Sequence, residues 1–147
     1  MDLTEDLTKH EELVELFAES GVVLAYLFGS QAEAKAGPTS DVDVAVLLGS
    51  EVEPEAWPAI QIDLMGNLMS LLGRDDVDLV ILNGAGPVMA QRVAEHGRVL
   101  FEAEPGIRAG FEVATLRRYV DTERLRSIQD RALLRRIETY RAAMGDT

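Results

Sequence analysis

Two aspartates one residue apart head an apolar run, Asp41-Val42-Asp43-Val44-Ala45-Val46-Leu47-Leu48. Ten residues before Asp41, a Gly29-Ser30 pair ends another such run, Val22 to Phe28. Both runs are short, rich in β-branched residues and without helical spacing, so both are expected to be buried strands. Side chains alternate across a strand, which puts Asp41 and Asp43 on one face and Val42, Val44 and Val46 on the other. Two carboxylates held side by side at the edge of a core repel each other, and burial adds a desolvation penalty. A hard divalent cation removes the conflict, and Mg²⁺ takes carboxylate, water and phosphate oxygens in an octahedron.

Gly29-Ser30 supplies the complementary half. A glycine at a strand end lets backbone N–H groups approach a phosphate, and a serine hydroxyl adds a donor. Gln31 to Ala36 are good helix formers halted by Gly37-Pro38, so a short helix there would also point its N-terminus at the phosphates. The stretch from Gly29 to Asp43 therefore reads as a site for a nucleotide phosphate and a metal.

Gly-Ser, ten residues, then Asp-x-Asp at the head of an apolar strand resembles the signature of the polymerase-β-like nucleotidyltransferases. The small size and the pattern beyond the motif resemble the minimal nucleotidyltransferases, the MntA-type antitoxins that accompany HEPN-domain (HepT-type) toxins. That resemblance implies a protein adenylyltransferase that moves AMP from ATP, with two Mg²⁺ ions, onto a tyrosine of the partner toxin and so blocks its RNase activity. It implies metal-binding and catalytic roles for Asp41, Asp43 and Asp78, and nucleotide contacts from Gly29, Ser30, Gln31, Lys35 and Ser40. Many relatives place arginine directly after the Gly-Ser pair, where this chain has Gln31. Part of the phosphate neutralisation would then fall to Lys35, the metals, a C-terminal arginine or the partner. Two rival readings stand beside this one: a nucleotidyltransferase for a small molecule such as an aminoglycoside, and an antitoxin that binds its toxin without catalysis.

The third carboxylate comes from Asp76-Val77-Asp78-Leu79-Val80-Ile81-Leu82, expected as a third strand. Asp76 and Asp78 share a face by the period of two. The resemblance points to Asp78, with Asp76 as the fallback.

Around these strands the pattern is helical. Thr8 to Glu11 has the form of a capping box, and Leu13, Leu16 and Phe17 follow, so a first helix is expected from about Lys9 to Glu19. Ile60 to Leu72 marks a second helix, weakened by Gly66 unless close packing requires it there. Trp57, near its start, is either a core plug or an exposed anchor, and burial preferences favour the core. Gly86-Pro87 opens a third helix that closes at His96-Gly97, and Arg98 to Phe101 reads as a fourth strand. His10 is expected at the surface and His96 as a helix cap, neither as a catalytic group. Beyond Pro105 the chain is helical, as one kinked helix or as two with a second start at Asp121-Thr122-Glu123.

At 147 residues the chain fits one domain, residues 1–147 with a helical part at 105–147. The expected fold is α/β, of the polymerase-β-like kind, with a small mixed sheet of about four strands flanked by helices. Cysteine is absent, which removes disulfides, thiolate metal sites and cysteine nucleophiles. No apolar signal core or membrane span is visible, which reads as a cytoplasmic protein. A net charge of −12 argues against a free-standing nucleic-acid binder. The charge is uneven: residues 1–104 hold 20 Asp/Glu against 5 Lys/Arg, whereas 105–147 hold 6 against 9. An acidic body suits either solubility or attraction of a basic partner.

Overall fold

A computed structural model describes residues 7–29 and 41–145. Four strands, β1 (Val22–Phe28), β2 (Val42–Leu48), β3 (Val77–Ile81) and β4 (Arg98–Glu102), form one mixed sheet in the order β3-β2-β1-β4. β1 runs antiparallel to both β2 and β4, while β2 and β3 are parallel. A parallel pair needs a long crossover, and helix α2 (Trp57–Leu72) supplies it.

Strand alternation divides the apolar residues between two faces. Val42, Val44, Val46, Val77 and Leu79 pack on one face with Leu13 and Phe17 of helix α1 (Leu7–Glu19) and Leu64 and Leu68 of α2. Leu24, Tyr26 and Ala45 lie on the other with Val93 of helix α3 (Pro87–His96) and, at the edge, Ile107 and Phe111 of helix α4 (Ile107–Ala143). The sheet is therefore a middle layer with a helix pair on each side. The Tyr26 hydroxyl donates to Glu112 Oε1 at 3.0 Å, which also accepts from Arg108 Nε at 2.9 Å. This network fastens the root of α4 to the sheet, and burial together with the Glu112 contact pushes the Tyr26 phenol pKa far up.

Several expectations shift. α1 begins at Leu7, so Thr8 lies within the helix and is not its cap. Asp41 precedes β2, Asp76 precedes β3, and β3 ends at Ile81, where Leu82–Gly84 turns into a short 3₁₀ segment. α4 is a single helix, because no proline interrupts residues 107–143 and Asp121-Thr122 continues the turn it was expected to start. Trp57 is half-buried against the first core, as a plug. No helix among the described residues is long and apolar enough to cross a membrane.

Gly66 does not serve close packing: a Cβ built there would meet nothing within 4 Å. Gly66→Ala should therefore stabilise the protein by about 0.5–1 kcal/mol through helix propensity alone. Chemical denaturation is the check, and an unchanged midpoint would show that α2 gains nothing from the methyl.

Candidate active site

Asp43 faces the second side of the sheet, since its odd-numbered neighbour Ala45 packs there while Val42 and Val44 fill the first core. In the parallel β2–β3 ladder the register partner of Asp43 is Asp78. Neighbouring strands lie about 4.8 Å apart, so the two side chains leave the sheet as neighbours on one face. Asp41 precedes them at the mouth of β2 and is exposed. The Asp43 carboxyl is held above the ordinary carboxylate range, first by burial and then by the charges of Asp78 and Asp41. Aspartates from two strands thus act on one another electrostatically.

β1 closes the site from the other side. Phe28 is the register partner of Asp43, and Gly29 follows it with φ +77°. A Cβ on Gly29 would stand 2.6 Å from Asp43 Oδ2. Only glycine takes this left-handed turn against the carboxylate without strain. Ser30, Gln31, Lys35 and Ser40 lie outside the described residues.

The two aspartates of β3 are separated by their partners. Asp76 is chelated by Arg74, with Nε and Nη2 each 2.6 Å from one of its carboxylate oxygens. That pairing holds the Asp76 carboxyl below its usual range. The Asp76 backbone carbonyl also accepts from the Val42 amide at 3.0 Å, which ties the starts of β2 and β3 together. Asp78 instead accepts at 3.0 Å from the amide of Leu79 and remains exposed. Arg74 was not anticipated as a site residue. The hydrogen bonds and charge of Asp76, and further the charge of Asp41, push the Arg74 guanidinium pKa up, so it borders the acidic group. The signal available in the sequence was Arg74 two residues ahead of Asp76, a spacing at which the two side chains can pair across the strand entry.

No group of three or more histidine or acidic side chains among the described residues is arranged to hold a metal ion. The donor chemistry still suits a hard cation, because Asp41, Asp43 and Asp78 offer only carboxylate oxygens and Asp43 carries the strain of their repulsion. His96 is exposed at the end of α3, 3.7 Å from Glu95, away from the carboxylates. Two cavities lie elsewhere: one of about 380 Å³ between α3 and α4, and one of about 430 Å³ between α1 and α2.

A family model described as polymerase beta, nucleotidyltransferase matches residues 11–105. No curated protein matches the chain. Among solved structures, a toxin–antitoxin with AMP-PNP is similar at 28% identity and TM-score 0.68, over 84% of this chain and 98% of that one. A toxin–antitoxin MntA–HepT is similar at 27% identity and TM-score 0.62, over 86% and 97%. A tri-AMPylated HEPN toxin in complex with MNT antitoxin, from Shewanella oneidensis, matches at 26% identity and TM-score 0.63, over 86% and 97%.

Proposed function

As a member of the polymerase beta nucleotidyltransferase family, this chain, we propose, transfers AMP from ATP to a tyrosine of a HEPN-domain toxin and thereby neutralises it. The observation that carries this reading is the Asp43–Asp78 register pair with Asp41 beside it and Gly29 closing the turn. A protein that only masked a partner would have no physical need to set these anions against one another. The solved neighbours support the choice of substrate and acceptor: one holds AMP-PNP, and another contains a tri-AMPylated HEPN toxin.

Each residue then has a distinct task. Gly29 and Ser30 hold the β- and γ-phosphates, with Gln31, Lys35 and Ser40 as further nucleotide contacts. Asp41 and Asp43 orient the triphosphate end, and Asp78 stands on the acceptor side, one strand over. The tyrosine oxygen attacks the α-phosphorus, the bond from that phosphorus to the departing oxygen breaks, and pyrophosphate leaves. The phenolic proton passes to Asp78, the carboxylate nearest the incoming hydroxyl. Asp41, Asp43 and Asp78 would hold Mg²⁺, which when bound would supply charge neutralisation at the phosphates and a lowered pKa for the attacking hydroxyl.

The test is to mix the protein with Mg²⁺, ATP labelled on the α-phosphate, and a HEPN-domain toxin, the class of partner held in the solved neighbour. Label on a toxin tyrosine, with loss of the toxin's RNase activity, supports the reading; neutralisation without label sinks it in favour of binding alone. The same assay separates the two aspartates of β3. Asp78→Asn should lower transfer on the order of a hundredfold or more. Asp76→Asn, which removes a partner of Arg74, should leave it within about threefold, since an exposed ion pair contributes little. Equal losses from both would mean that the Arg74–Asp76 pair belongs to the chemistry.

A further inference from the structure

Helix α4 is far longer than its seat. Its first turns are anchored through Ile107, Phe111 and the Tyr26–Glu112 hydrogen bond. Arg118 reaches back to the carbonyl of Ala85, and Tyr119 still lines the groove against α3. Beyond that, residues 120–143 extend as helix for about 36 Å at 1.5 Å per residue. No described element packs against this arm, yet Leu125, Ile128, Leu133, Leu134, Ile137 and Tyr140 are 40–66% exposed along it. An isolated helix that leaves so many large apolar side chains in water marks a surface meant to be covered. It is also the basic part of an acidic protein, with eight arginines against four acidic residues over positions 117–143.

We infer that this arm, together with the α3–α4 groove at its root, is the docking surface for the protein that presents the acceptor tyrosine. The inference rests on the adenylyl-transfer reading for the identity of that protein. Three observations select it. First, α4 rises from the face of the sheet that also bears Asp43 and Asp78, so a protein seated on the arm lies on the same side as the carboxylates. Second, the root groove of about 380 Å³ is lined by Val88, Leu116 and Tyr119, and in its wall the Oε1 of Gln91 is buried without a donor among the described residues. An arriving donor would complete that amide. Third, the apolar side chains share no single seam: Leu125 and Leu134, nine residues apart, point to opposite sides of the helix. Two such arms cannot zip together as a coiled coil, and their arginines would meet like charge. The occupant therefore embraces the arm from more than one side and offers apolar pockets rimmed by acidic groups.

The full-length protein with Leu125→Asp and Ile128→Asp, and separately with Arg135→Glu and Arg136→Glu, tests this against the same HEPN-domain toxin. All four positions are exposed, so the variants should fold as the parent does. Calorimetry should show at least a tenfold loss of affinity for the toxin in each, with AMP-PNP binding unchanged within twofold. The loss from the arginine pair should shrink as salt rises. Undiminished toxin binding by both variants overturns the proposal. So does sedimentation showing that the isolated protein is a dimer through the arm, which the apolar variant dissolves; a second copy would then be the occupant. If toxin binding depends on the arm and no AMP is transferred, the catalytic reading falls and the docking surface stands.

Discussion

Asp43→Asn should abolish AMP transfer and make the protein more stable. The loss of activity is expected to reach a hundredfold to a thousandfold or more, since one of the charges facing the phosphates disappears from a site whose chemistry is charge stabilisation. The gain in stability follows from the same repulsion. The folded protein holds the Asp43 carboxyl above its ordinary value of 3.8, through burial and the charges of Asp78 and Asp41. A carboxyl whose pKa is raised on folding binds its proton more tightly in the folded state. At neutral pH its ionised form therefore penalises folding, and the penalty is relieved as pH falls through the raised folded value towards 3.8. Asparagine carries no such penalty. The melting temperature of the variant should exceed that of the parent at pH 7, and the two should converge in acid. Mg²⁺ with AMP-PNP should raise the melting temperature of the parent and have little effect on the variant. A variant that is inactive and also less stable at pH 7 would mean that Asp43 serves the fold, not a cation.

The parts of this site that the sequence discloses are those set by local periodicity. Val42 to Leu48 alternates across two cores as its β-branched pattern requires, and Gly29 takes the positive φ that a glycine ending a strand foretells. What it leaves open is set by partners distant in the chain. Asp76 and Asp78 are equivalent to any argument from the period of two. The ladder with β2 distinguishes them by placing Asp78 opposite Asp43, while Arg74 occupies Asp76. Pairing register is a tertiary fact, fixed by how Leu79 and Val44 share a core. α4 settles a choice between one helix and two that composition leaves open. Asp121-Thr122-Glu123 has the composition of a helix start, but the preceding residues are already helical and nothing breaks the backbone there, so propensity carries the helix through. The exposure of its apolar residues was invisible for the same reason as the register: hydrophobic spacing tells which residues seek cover, not whether this chain provides it.

Gly29→Ala should disable the site with a single added methyl. Its first cost is conformational. At φ +77° an L-residue is strained by about 1–2 kcal/mol relative to glycine. The second cost is steric and falls on the site, because the new Cβ would lie 2.6 Å from Asp43 Oδ2, well inside contact distance. The carboxylate, as the end of a side chain, relieves that contact by rotating, which displaces it within the site. A displacement near 1 Å in a positioning group costs on the order of a hundredfold in rate. The variant should accordingly lose about 1–2 kcal/mol of stability and nearly all transfer activity. The two costs can be separated by repeating Gly29→Ala in an Asp43→Ala background, where the clashing oxygens are gone. If steric displacement of the carboxylate contributes, the methyl should cost less stability there than in the parent, and the difference is the coupling between the turn and the aspartate. Equal costs in both backgrounds would leave only backbone strain at Gly29, and the turn would then shape the phosphate loop without touching the carboxylate it faces.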